Sequence, residues 1–248
     1  MRVYDIYSYL NSLFPTDTAC DFDNVGILVG DKDALVERAI VSLDCTFETI
    51  KKAKETDSNL IITHHPVVFE PLKNVLSDSI VFELIKNDIS VISMHTNLDI
   101  AKNGVSEELC KIIGLSDISS VTSSDGFVLK SGVISPVSAN ELAQQIKERL
   151  KGNVRYVDGE KAINKVLVCS GSGGEFVFDA VQNGFDALIT SEVKHHQFLF
   201  SKDNGLSVFD AGHFCTEDII TEPLAKILSE QFNEIEFKTY HSDSIKYV

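Results

Sequence analysis

The chain has no apolar run approaching the roughly 20 residues needed to cross a bilayer; stretches such as Leu60–Ile62 and Val166–Val168 are short. Positive charge is scarce. Lys and Arg together number 22 against 37 Asp and Glu, a net charge of −15, which makes nucleic acid an unfavourable partner and a bound cation a favourable one. Paired cysteines are missing as well. Cys20, Cys45, Cys110, Cys169 and Cys215 are odd in number and widely spaced, and form no CxxC, which excludes a disulfide framework and a thiolate zinc cluster and predicts reduced thiols. The N-terminus, MRVYDIYSYLNSLFP, interrupts its apolar residues with polar ones at helical spacing. It suits an amphipathic helix better than a signal peptide, and a cytoplasmic protein is expected.

At 248 residues with 44% hydrophobic content, the chain can build one large core or two small ones. Helical patterns are predicted over 3–13, 47–54, 79–87 and 105–113, the last closed by Gly114. Strands are predicted over 26–29, 38–43, 60–63 and 89–93. The second part repeats the order, with helices near 139–150, 175–183 and 193–200 and strands near 154–157, 165–169, 187–190 and 206–209. Segments also match directly: RAIVSLDCT lies over KVLVCSGSG, NLIITHH over ALITSEVKHH, and ISVISMHTNLD over LSVFDAGHFCTE. This self-similarity predicts an α/β fold of two similar halves, about 1–125 and 126–248, arising by internal duplication, with mainly parallel sheets.

Three segments carry the chemistry. His64 and His65 follow a strand and precede Pro66. Neighbouring strand residues face opposite ways, so the two imidazoles can share a site only if the strand has ended and the chain turns. His95 precedes Asp99 by four residues, and His213 precedes Glu217 by four, a spacing that puts both side chains on one face of a helical turn. Strand ends at the carboxyl edge of a parallel sheet can bring all three segments together. Such a set of imidazoles and carboxylates exceeds the needs of one cation and suits two divalent transition-metal ions, zinc, iron, manganese or nickel.

Together, ITHHPVVF, MHTNLD, DNVGILVG and GHFCTE resemble the NGG-one interacting factor three-like family, also labelled GTP cyclohydrolase 1 type 2, essentially from end to end. The resemblance implies two α/β halves around a dinuclear metal centre and a homo-oligomer in the form of a toroidal hexamer. It implies His64, His65, Asp99, His213 and Glu217 as ligands, one carboxylate bridging, with His95 in the outer shell or an occasional ligand. Phe22 stands where the family often has tryptophan, which reads as a packing change. Some members carry an extra domain between the halves, for which this chain is too short.

Glu192 and His196 also fall on family positions. Glu192 is expected as a general base and His196 as a proton donor to a leaving group, against the plainer reading of a solvated acid and a histidine on a helix face. His195 reads as surface, and His241 suggests no partner. Gly171, Gly173 and Gly174 suit a tight turn or a phosphate cradle, and Asp23 and Asn24 suit ligand contact or Asx-turn chemistry. Two functions follow: a metal-dependent hydrolase acting on a nucleotide or related small molecule, as the family label implies, or a non-catalytic metal-binding or interaction protein.

Overall fold

The structure is a computed structural model that describes residues 1–246. Helix α1 (Val3–Leu13) buries Val3, Ile6 and Leu10, the i, i+3, i+7 stripe of a helix packed on a core. Strands β1 (Gly26–Val29) and β2 (Arg38–Ser42) follow, then α2 (Phe47–Glu55). The Thr46 hydroxyl caps α2 by accepting from the Thr49 N–H at 3.1 Å, as an N-cap threonine should. Next come β3 (Leu60–Thr63), α3 (Ile80–Lys86), β4 (Ser90–Ser93) and the short α4 (Thr96–Ile100). Helix α5 (Val105–Ile113) ends at Gly114, whose φ of 85° is the left-handed turn a glycine supplies cheaply.

Strands β5 (Ser116–Thr122) and β6 (Val128–Val137) precede α6 (Ala139–Leu150), which is capped by Ser138. The chain continues through β7 (Arg155–Val157), β8 (Ile163–Ser172), α7 (Val177–Gln182), β9 (Ala187–Ser191), α8 (His195–Asp203) and β10 (Ser207–Asp210). It closes with α9 (His213–Glu217), α10 (Thr221–Gln231) and β11 (Glu236–Tyr240).

Among the described residues these strands form two sheets, ordered β1-β4-β3-β2-β11 and β5-β6-β8-β9-β10-β7. The middle of each repeats one theme. Strands β2, β3 and β4 are parallel, as are β8, β9 and β10. The connections are helical in both cases, and each third strand is followed by a short helix, α4 or α9. This is the duplicated α/β unit expected from the self-similarity. Antiparallel strands flank it: β1 on β4, β6 on β8, β5 on β6 and β7 on β10. Every residue of β3 and β4 is buried, which explains why neither LIIT nor SVIS shows the strict apolar and polar alternation of a half-exposed strand.

The compact units do not divide at residue 125. One unit comprises residues 1–101 with the segment from Ile220 onward, the other residues 102–219. The C-terminal strand β11 pairs in parallel with β2, returning the end of the chain to the first sheet. Helix α5 belongs to the second unit, because Leu109, Cys110 and Ile113 share a core with Ile163, Val166 and Val168. On β8, Leu167 and Cys169 belong to another cluster with Val177 and Leu188, so that sheet has a core on each face. The first unit centres on Ile40, Ile50, Ile61, Leu84 and Val91.

Candidate metal centre

In the first unit β3 ends at Thr63, and the backbone turns through His64 and His65. Two backbone hydrogen bonds hold this turn: the His65 N–H donates to Leu43 O at 3.0 Å, and Met94 N–H donates to Thr63 O at 2.9 Å. His64 is buried at 1% exposure, with Nδ1 2.9 Å from the carbonyl oxygen of Met94. A carbonyl only accepts, so Nδ1 donates and Nε2 is the ring's other nitrogen. That nitrogen is 3.6 Å from Asp99 Oδ1.

The neighbouring histidines follow the same rule. His65 Nδ1 lies 2.7 Å from Asp44 Oδ1, and His95 Nδ1 lies 2.9 Å from Asp23 Oδ1. The centroids of His64 and His65 are 5.1 Å apart, those of His64 and His95 5.1 Å, and those of His65 and His95 5.6 Å. One ring nitrogen from each of the three fits within 4.8 Å of the others. His95 thus stands among the candidate donors and not behind them. The first turn of α4 brings Asp99 along, its N–H donating to His95 O at 3.0 Å.

Asp23 is more than an Asx-turn residue. Its Oδ2 accepts from the Thr96 N–H at 3.0 Å and the Thr96 hydroxyl at 2.5 Å. Burial raises its pKa, but the bonds from His95 and Thr96 outweigh that and hold it down to about 2, so Asp23 remains an anion. Asn24 Nδ2 donates to Val68 O at 2.5 Å, tying this loop to the segment after the paired histidines.

In the second unit α9 presents His213 and Glu217, with Nε2 2.9 Å from Glu217 Oε2 and Nδ1 2.8 Å from Glu192 Oε1. Glu217 is 3% exposed. Gly171, at φ +60°, leaves no room for a side chain, since an added Cβ would overlap Glu217 Oε1. Its N–H donates to Thr216 Oγ1 at 3.2 Å. This glycine therefore serves the approach of a carboxylate, and that N–H is committed within the protein.

Glu192 and His196 separate in role. Glu192 meets His213, whereas His196 is exposed on the first turn of α8 beside the equally exposed His195. His241 has a partner after all, Glu222 Oε1 at 3.1 Å. Asp44, which the sequence patterns do not single out, supports His65. Its signal was its place at the end of a strand parallel to β3.

A divalent cation fits these residues. Imidazole Nδ1 atoms engaged by carboxylates or a carbonyl are the usual support of metal-bound histidine. A ring nitrogen and a carboxylate oxygen close together inside protein favour positive charge between them, whether a proton on the imidazole or a bound cation. Two of the thiols are poorly suited to join such a set: burial pushes Cys45 and Cys110 each up to about 12, so both stay protonated at neutral pH.

A family model described as Duf34/NIF3 (NGG1p interacting factor 3) matches residues 1–246. A Clostridium acetobutylicum protein is 34% identical over 230 residues, covering 88% of this chain and 85% of the relative. A Clostridium perfringens protein is 33% identical over 249 residues, covering 96% and 95%. Both bear the name GTP cyclohydrolase 1 type 2 homolog. The crystal structure of a hypothetical protein from Staphylococcus aureus superposes with a TM-score of 0.92 at 28% identity, covering 100% of this chain and 99% of that one.

Proposed function

The chain belongs to the Duf34/NIF3 family, and from that premise we propose that it is a dinuclear metal-dependent hydrolase. Its ligands are His64, His65, Asp99, His213 and Glu217, with His95 as an adjoining donor. The observation that carries this reading is the hydrogen bonding of the imidazoles. The Nδ1 atoms of His64, His65, His95 and His213 each face a backbone carbonyl or a carboxylate, the support usual for metal-bound histidine, and Nε2 of His213 meets the Glu217 carboxylate at 2.9 Å, a nitrogen and oxygen pair that one cation can take as ligands. Zinc, iron, manganese and nickel all accept such a mixed nitrogen and oxygen set.

When bound, two such ions supply Lewis acidity and a water acidified toward neutral pH. The chain's own residues supply the rest. Asp23, Asp44 and Glu192 fix ring orientation and strengthen the imidazoles as donors. Buried Asp99 and Glu217 supply the negative charge that matches a divalent ion. His196, exposed at the start of α8, is the candidate proton donor. The relatives' names point to a nucleotide or related small molecule as substrate. Family resemblance further supports a toroidal hexamer, which light scattering on the purified protein tests. Among the described residues no helix is long and apolar enough to cross a membrane, which is compatible with the cytoplasmic location proposed here.

One observation favours the second reading, a metal-binding or interaction protein without catalysis. Glu192, the expected general base, is already engaged by His213. The deciding experiment is elemental analysis of the purified protein and of His64→Ala, Asp99→Ala and Glu217→Ala, followed by a substrate screen that includes nucleotides. Close to two transition-metal ions per chain in the wild type, with at least one lost in each variant, is the expected result. Unchanged metal content in the variants would overturn the assignment.

A further inference from the structure

Beside the histidine trio two aromatic side chains stand open to solvent. Phe22 is 66% exposed and Phe69 43%, their ring centroids 6.2 Å apart at an interplanar angle of 53°. The Phe69 ring also meets His95 edge-on, with centroids 6.2 Å apart at 84°. Large exposed apolar side chains need no explanation when scattered singly, but a pair set against candidate metal ligands does.

The pair is anchored. Phe22 precedes Asp23, whose carboxylate is held by His95 and Thr96. Asn24 bonds the carbonyl of Val68, which precedes Phe69, and Val67 and Val68 pack against the first unit's core. Both rings are thus carried on short segments pinned at a neighbouring residue, Asp23 after Phe22 and Val68 before Phe69, and one of the pins is His95 itself. A rigid aromatic platform costs little conformational entropy to use, and a tilted pair offers an open face and an edge to a flat guest.

We propose that Phe22 and Phe69 form a stacking platform for a planar heteroaromatic ring, the base of a purine nucleotide, on a ligand whose reacting group lies at the histidine trio. This rests on the functional reading above and adds to it the residues that select the substrate class. Base–aromatic stacking tolerates any base, so the platform selects a flat ring and not guanine in particular.

The test uses the full-length, metal-loaded protein, titrated by calorimetry with GTP, ATP and inorganic triphosphate, with metal content measured on the same samples. Phe22→Ala and Phe69→Ala are each expected to weaken GTP and ATP binding about five- to hundredfold, leaving triphosphate affinity and metal content at wild-type values. The sequence contains no tryptophan, so Phe22→Trp installs a lone reporter. It is expected to keep purine affinity and to be quenched by GTP and ATP but not by triphosphate, and that quench decides the matter should an alanine variant also lose metal. Unchanged purine affinity in both alanine variants overturns the proposal, as does a wild-type protein that binds neither purine nucleotide. Unchanged purine affinity with a smaller assembly would assign the pair to a subunit contact. If the alanine variants weaken purine binding but the wild type forms no product, the platform stands and the hydrolase reading falls.

Discussion

Glu192 holds a backbone φ of +55° and places its Oε1 2.8 Å from Nδ1 of His213. A non-glycine residue in the left-handed region costs about 1 kcal/mol or more, and here that conformation follows directly on β9, where it sets a carboxylate against a candidate ligand. Its side chain is 55% exposed, so no core depends on it.

Replacing Glu192 with Gln is therefore expected to leave thermal stability almost unchanged while weakening metal affinity about 10- to 100-fold, the usual effect of losing an outer carboxylate. Chelator competition measures this. Intact metal affinity with lost turnover would instead assign Glu192 the general-base role.

Gly171 gives the second prediction. Gly171→Ala places a methyl group on the Glu217 carboxylate at a backbone φ of +60°, so the carboxylate or the loop must move. The expected outcome is a loss of about 1–2 kcal/mol of stability together with reduced metal content, read by urea unfolding and elemental analysis. Native metal content with the stability loss would show that the loop and not the Glu217 carboxylate gives way, whereas native metal content in Glu217→Ala would show that Glu217 is not a ligand.

Asp186 supplies a pH-dependent prediction away from the metal ligands. Burial raises its pKa, but the N–H groups of Lys165 and Asn164 and the ammonium of Lys161 outweigh this, so the folded value is below that of a free aspartate. Its Oδ2 accepts from Asn164 N at 3.0 Å and Lys165 N at 2.8 Å. A lowered folded pKa contributes stability above the unfolded value near 3.9 that disappears as pH falls through the folded value. Asp186→Asn should thus cost about 1 kcal/mol at pH 7 and progressively less below about pH 4. Denaturant titrations at both pH values check the convergence.

Much of the fold was legible because its signals are local. The stripe Val3, Ile6, Leu10 fixed α1, Gly114 fixed the end of α5, and Leu60–Ile62 and the set Ile89, Val91, Ile92 marked β3 and β4. The antiparallel additions were hidden. Strand β5 is exposed along most of its length and lacks apolar alternation, while α10 carries Pro223 in its first turn, where proline is tolerated but reads as a breaker. Strand β11 finds its partner β2 about 200 residues earlier, a pairing that local pattern does not encode. The site divided similarly. The paired histidines and the two i, i+4 motifs were visible, but the Asp23 to His95 bond spans 72 residues and the Asp44 to His65 bond 21, so these supports emerge only once the strands are in register.

Metal removal is the last prediction, and its sign depends on burial. His64, Asp99 and Glu217 are each less than a tenth exposed, and His64 Nε2 lies 3.6 Å from an Asp99 oxygen. A cation bound as proposed would compensate that arrangement, and ligand linkage at a hundredfold excess over Kd would add about 2.7 kcal/mol to stability. Chelation should lower the melting temperature, and readdition of zinc or manganese should restore it. Asp99→Asn separates charge from shape: it should bind metal more weakly and melt below the loaded wild type, yet match or exceed the wild type once both are stripped, because the buried negative charge is gone. Calorimetric melting with and without chelator reads both arms. An Asp99→Asn variant less stable than the wild type in both states would mean that the carboxylate serves the fold and not a cation.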